Sequence, residues 1–281
     1  MYYVPQLKQY TIDTLLKKYG PNHHWTRKYV HKLGFQEQHP EVPAWNEEEE
    51  ATKEADRPEG TVKLPDDVQV HFVDTLEIFH NAINTLMQAE YVGFDSEWAP
   101  IQWVWKELPS GKLIKYDTVA LVQLATLQDV FLIDMHAFTS MEQLDEINAG
   151  FQKILSTEVL PSIVAFGIKG DFDQVKKSYP ELTALRDCLD QMSDKQRERK
   201  FWDLHVHYDK FIKSVKPENE CNSTPSLKNL VFEVYEKHMD KRVRLSDWTR
   251  RPLTTAQMEY ASLDAWLLVD MVYIWKQSNE K

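Results

Sequence analysis

The chain has 281 residues, 42% of them hydrophobic and 27% charged, with a formal net charge of −11. That length supports one large domain or a domain with a sizeable appendage, and a core that needs no disulfide or metal staple. Two cysteines, Cys188 and Cys221, are too few for a disulfide framework, and no apolar run approaches the roughly 18 residues that would cross a membrane.

The N-terminus, Met1-Tyr2-Tyr3-Val4, has no basic-then-apolar leader, so a cytoplasmic or nuclear protein is expected. Between Pro5 and Tyr19, Leu7, Ile12, Leu15 and Leu16 recur at helical spacing, and Gly20 stops the helix. A second helix is expected from about His24 to Leu33, ending at Gly34. His23 and His24 are adjacent and do not share a helical face, so they read as surface histidines rather than a metal pair.

Residues 36–66 follow, with prolines at 40, 43, 58 and 65. Between Glu41 and Gly60 eight acids oppose two bases and carry −6 of the −11. The stretch reads as an acidic, poorly ordered linker between an N-terminal helical extension (1–35) and a domain over 67–281. It also explains why net charge argues only mildly against binding a polyanion.

From Val68 the texture changes. Val68 to Val73 alternates as a strand, and Asp74 or Thr75 caps a helix bearing Leu76, Phe79, Ile83 and Leu86. Strands are expected at Tyr91–Trp98, Val119–Leu124 and Val130–Asp134, the first two separated by a loop with Gly111. A helix over Met141–Leu155 leads to a buried strand, Ile163–Phe166. After it come a helix from near Gly170, a short strand near Phe201-Trp202, and helices near 204–212, 226–235 and 255–274. Such a series predicts an α/β fold, a mixed sheet flanked by helices.

Three segments carry chemistry. In Phe94-Asp95-Ser96-Glu97 the carboxylates stand at i and i+2 of a strand, so both project to one side. Like charges so placed repel unless a cation lies between them. In Val164 to Asp173 a buried strand turns through Gly167 and Gly170 into a helix whose start carries Asp171. In Tyr260-Ala261-Ser262-Leu263-Asp264 the tyrosine and the aspartate lie one helical turn apart on one face. Oxygen-only acids suit hard divalent ions such as Mg²⁺ or Mn²⁺. Two of these about 4 Å apart can activate a water and stabilise the leaving oxygen of a phosphodiester, and the tyrosine could orient that water.

Asp95-x-Glu97, Gly170-Asp171 and Tyr260-x-x-x-Asp264, in this order, resemble the DEDD exonuclease superfamily in its tyrosine-bearing branch. Glu259 stands where the other branch has histidine. Pro225 to Leu230, and Ser246-Asp247-Trp248-Thr249-Arg250-Arg251-Pro252-Leu253-Thr254 on through Gln257 to Ala261, resemble ribonuclease D and Werner-type exonuclease domains. Within these, the likeness is to Nibbler-type domains, which trim small-RNA 3′ ends. The resemblance covers about residues 68–278 and leaves open that the chain is a piece of a longer protein. It implies an RNase-H-like sheet, 3′→5′ hydrolysis, nucleoside 5′-monophosphate products and two divalent metal ions.

By the same resemblance Asp95, Glu97 and Asp264 would hold the ion at the attacking water. Asp95 would bridge to a second ion that Asp171 helps to hold, and Tyr260 would position the nucleophile. Asp173 is the rival for the third acid, with the Gly-Asp-Phe context favouring Asp171. Trp98 is a candidate base-stacking platform or a core residue, and Lys169, Arg250 and Arg251 are candidate phosphate contacts or solvated cations. His205, His207, Cys188 and Cys221 read as passive.

The implied substrate is the 3′ end of single-stranded RNA, with a small-RNA effector protein as partner. A Werner-type DNA exonuclease and a catalytically inactive RNA-binding module are the alternatives.

Overall fold

The computed structural model describes residues 4–22, 24–45, 59–98, 105–107, 113–115, 118–155, 160–216 and 224–279. His23, most of the acidic run, the loop around Gly111 and Cys221 lie outside them. The chain forms two compact units, residues 1–56 with 100–117, and residues 57–99 with 118–281.

In the first unit, helices α1 (Val4–Tyr19) and α2 (His24–Leu33) run over the spans their periodicity predicts. Gly20 and Gly34 end them at φ 78 and 75 degrees, a backbone region open to glycine. Ile12, Leu15, Tyr29, Val30, Val42 and Trp45 are buried, and Arg27 donates to the Ala44 carbonyl at 2.6 Å. The unit also holds a two-stranded antiparallel ribbon, β3 (Trp105–Glu107) with β4 (Leu113–Lys115), which the sequence reading missed.

The second unit is built on six strands. These are β1 (Gln69–Val73), β2 (Tyr91–Glu97), β5 (Leu121–Ala125), β6 (Asp129–Asp134), β7 (Ser162–Ala165) and β8 (Phe201–Asp203). They lie in the order β1-β6-β5-β2-β7-β8. β5 is antiparallel to both its neighbours, β2 and β6, and the other pairs are parallel, which makes the sheet mixed. Residues 59–66, read as the end of a linker, are drawn into this unit: Thr61 bridges His238 and Val62 is buried.

Each face of the sheet has its own core. One receives α3 (Leu76–Leu86), α4 (Met141–Leu155), α5 (Ile168–Ser178) and α6 (Thr183–Gln191), through residues such as Phe79, Phe151, Phe172 and Leu185. The N-cap of α3 is Thr75, whose hydroxyl accepts from Ile78 N–H. The other face receives α8 (Tyr208–Val215), α9 (Leu227–Tyr235) and α10 (Thr255–Asn279). α10 is buried without a break from Tyr260 to Val269, as befits a core helix, and carries Asp264 within that buried run.

Two segments depart from expectation. Residues 183–200 form α6 and α7 (Asp194–Lys200), where no helix was expected. The helix expected from Leu204 begins only at Tyr208. The Asp203 carboxylate accepts from His205 N–H and the Asp203 carbonyl from Val206 N–H, and these bonds hold the chain in a turn.

Candidate active site

Asp95 and Glu97 stand at the C-terminal end of β2, on the face that α10 covers. That helix approaches the strand unusually closely. A Cβ built on Gly93 would lie 2.1 Å from the Ala265 carbonyl oxygen, so only glycine lets the backbones meet. Ala265 follows Asp264, and the contact carries the third acid to the first two. Asp95, Glu97 and Asp264 each offer a carboxylate oxygen within 4.8 Å of the others.

The start of α10 is fixed by its own sequence. Thr254 and Gln257 form a reciprocal cap: Gln257 N–H donates to the Thr254 hydroxyl at 3.2 Å and Thr254 N–H to Gln257 Oε1 at 3.0 Å. Gln257 Nε2 also donates to Ser246 Oγ and to the Asp247 carbonyl, which binds the preceding loop to the helix. One turn on, the Tyr260 hydroxyl donates to the Asp264 carboxylate, and the Trp248 ring lies 6.1 Å from the Tyr260 ring.

Asp171 comes from the other side of the sheet, in the first turn of α5. It accepts from Ser96 Oγ at 2.6 Å and feels the Asp95 charge. The turn that presents it has Gly167 at φ 80 degrees, and Gly167 and Ile168 donate their N–H groups to the Asp203 carboxylate at 2.8 and 3.2 Å. Asp203 therefore does from β8 what a capping side chain does from within a helix.

The electrostatics are those of a cation site. Burial pushes the carboxyls of Asp95, Glu97, Asp171 and Asp264 above the usual carboxylate range, and the acids repel one another further. Asp264 Oδ1 is buried without a hydrogen-bond donor. An all-oxygen set, desolvated and self-repelling, with one acceptor left over, fits a hard divalent ion such as Mg²⁺ or Mn²⁺. The Tyr260 hydroxyl is pushed far up by burial and by Asp264, so it remains a proton donor.

The remaining candidates are placed differently. Trp98 is half-buried against the core that takes Phe94. Asp173 is exposed and accepts from Lys169 at 2.8 Å, an i,i+4 surface pair that leaves Asp171 as the acid facing β2. Arg250 is exposed. Arg251 requires correction as a phosphate contact. Its guanidinium grips the Asp134 carboxylate through both Nε and Nη2, and donates to the carbonyls of Ala120, Trp248 and Arg250. That commits its whole donor set inside the protein. His205 packs edge-on to Phe166 and His207 lies near Trp275. The Cys188 thiol is pushed up to about 12 by burial.

Sequence reasoning missed Lys241 and Arg244. Both act electrostatically on the acids, Lys241 on Asp264, Asp95 and Glu97, Arg244 on Glu97 and Asp264. The available signal was the basic cluster Lys241-Arg242-Val243-Arg244, in a loop that no helical pattern claims.

The sequence pattern of a 3′-5′ exonuclease family matches residues 70–277. The exonuclease mut-7 homolog of Aedes aegypti is 29% identical over 217 residues, which are 76% of this chain and 27% of the relative. The chain thus spans about a quarter of that relative's length. The crystal structure of the Aedes aegypti Nibbler EXO domain matches with a TM-score of 0.59 at 24% identity, over 78% of this chain and 92% of that one. Escherichia coli RNase D matches with a TM-score of 0.50 at 15% identity, over 76% and 46% respectively. Both have the same mixed sheet flanked by helices. The family's pattern runs from β1 through the whole of the acid cluster to the end of α10, and this chain belongs to the 3′-5′ exonuclease family.

Proposed function

We propose that the domain over residues 67–281 removes nucleotides one at a time from the 3′ end of single-stranded RNA. The observation that carries this reading is the convergence of Asp95, Glu97 and Asp264 within 4.8 Å, with Asp171 and Tyr260 adjoining. RNA is favoured by the motif likeness to small-RNA trimmers, and RNase D is itself described as an exoribonuclease involved in structured RNA processing. A small-RNA effector protein as partner and a cytoplasmic or nuclear setting belong to the same reading.

Divalent ions bound to these carboxylates would activate the attacking water and neutralise charge on the leaving oxygen. The chain's own groups do the rest. Asp95, Glu97 and Asp264 hold their carboxylates on one face, close enough that their mutual repulsion favours a cation between them. Asp171, steadied by Ser96 and the Asp203 turn, closes the cluster from the α5 side. Tyr260, its proton directed to Asp264, presents an oxygen that can accept a hydrogen bond from the attacking water and hold it in line. Lys241 and Arg244 supply the positive charge that a scissile phosphate needs beside so many acids. Water adds its oxygen to phosphorus, the bond to O3′ breaks, and the proton passes to O3′. The products are a nucleoside 5′-monophosphate and a shortened chain with a free 3′-hydroxyl.

The test is a time course on 5′-labelled single-stranded RNA and the matching DNA, with Mn²⁺, Mg²⁺ or EDTA. A one-nucleotide ladder on RNA, lost in EDTA and weaker on DNA, is the expected result. Faster loss of DNA would replace RNA as the substrate, and no cleavage of either would leave a binding module.

A further inference from the structure

Gln123 lies in the middle of β5 between Val122 and Leu124, with no solvent exposure. Directly opposite it across the ladder is Asp95, so the two side chains rise from the same face of the sheet. Neither Nε2 nor Oε1 of Gln123 meets a hydrogen-bond partner. The other orphan of this region is Asp264 Oδ1, on a carboxylate within 4.8 Å of that of Asp95. A donor lacking an acceptor and an acceptor lacking a donor therefore flank the same aspartate.

Packing does not explain the amide. The rest of β5 is Leu121, Val122, Leu124 and Ala125, all buried, and a leucine or methionine would fill the same volume without leaving polar atoms unpaired. Carboxylates that bind metal are commonly held in orientation by an outer hydrogen-bond donor, and a buried amide beside the cluster has the right chemistry for that task.

We propose that Gln123 is a positioning residue of this cluster: its side-chain N–H donates to the Asp264–Asp95 carboxylate pair, with Asp264 Oδ1 as acceptor, when the acids are ionised around their cations. The proposal rests on the metal-dependent reading above. Gln123 touches neither substrate nor the reacting atoms. It acts by fixing the angle at which Asp264 presents its oxygens.

The test uses the full chain and Mn²⁺ as the probe, with binding followed by electron paramagnetic resonance of the free ion and folding by thermal denaturation in EDTA. Gln123→Met and Gln123→Leu remove the amide and keep the volume. Both are expected to melt in EDTA at or above the wild-type temperature, and to bind Mn²⁺ at least about tenfold more weakly. Unchanged Mn²⁺ affinity in both variants would overturn the proposal and leave the metal site standing. Loss of folding in both would also overturn it, because an amide without a partner has no stability to lose. A wild-type chain that bound no Mn²⁺ would remove the metal reading itself, and this proposal with it.

Discussion

The carbonyl oxygen of Ala265 occupies the space that a side chain on Gly93 would need. This one contact decides whether α10 can lie on β2 closely enough for Asp264 to join Asp95 and Glu97. Gly93→Ala is expected to push the helix outward. Overpacking of this kind costs about 1–3 kcal/mol, and the variant should lose Mn²⁺ binding even at temperatures where it stays folded. Calorimetric titration of the folded variant checks this, and wild-type affinity would refute it.

Replacing Asp95 with Asn should abolish hydrolysis and stabilise the metal-free protein. Folding raises the carboxyl of Asp95 above its usual range through burial and the Asp264 charge. A raised acid binds more protons folded than unfolded, so stability in EDTA falls as pH rises above about 4, the ordinary carboxylate value. The wild-type melting temperature in EDTA should therefore drop between mildly acidic and neutral pH. The fall should be shallower in Asp95→Asn and should be reversed by Mn²⁺. A wild-type curve flat in pH would contradict the assignment.

Tyr260→Phe removes the hydroxyl that donates to Asp264 and leaves the ring beside Trp248. A hydroxyl positioned to hold the attacking water contributes about 10²–10⁴-fold to rate, and the loss should appear in single-turnover cleavage. Because the hydroxyl holds its proton well beyond neutral pH, the wild-type profile should show no limb belonging to Tyr260.

Asp203 and Asp173 offer a contrast. Asp203→Ala frees the N–H groups of Gly167 and Ile168, and loss of such a cap costs about 0.5–2 kcal/mol. It should also slow cleavage, because the turn it holds presents Asp171. Asp173→Ala removes only the exposed pair with Lys169, and should change stability by no more than about 0.5 kcal/mol and leave the rate alone. Equal effects of the two substitutions on cleavage would argue that α5 has been assigned the wrong acid.

Arg251→Ala should act on folding. It leaves the buried Asp134 carboxylate without its cation, a loss of about 3–5 kcal/mol. Where it is folded, its salt dependence of RNA binding should match the wild type's. Arg250→Ala is the comparison, and a reduced salt slope in Arg251→Ala would restore it as a phosphate contact.

Much of this was legible in the sequence because the relevant distances along the chain were short. The i,i+2 acids of β2 and the i,i+4 pair of α10 declared their faces through local periodicity, as did the apolar stripe of α3. The motif Ser246 to Gln257 was visible as text, but its purpose is tertiary: it caps α10 and ties the loop to it. Arg251 was misread for that reason, since its partner Asp134 lies in β6 and nothing local announces it. Gln123 was passed over because a lone polar residue in a strand looks like an ordinary exposed position. Only the ladder places it opposite Asp95. α6 and α7 were missed because the segment is highly charged and its few buried residues, Ala184, Leu185 and Cys188, make a weak stripe.

The order in which the acids appear has a biosynthetic consequence. Asp95 and Glu97 leave the ribosome early, Asp171 later, and Asp264 on α10, which follows every other described element. A nascent chain that has already formed β2, β5 and α5 holds three of the four acids and nothing to close them against. Nascent chains that lack α10 would therefore be inert toward RNA, and competence to cut would arise only when that helix settles onto Gly93.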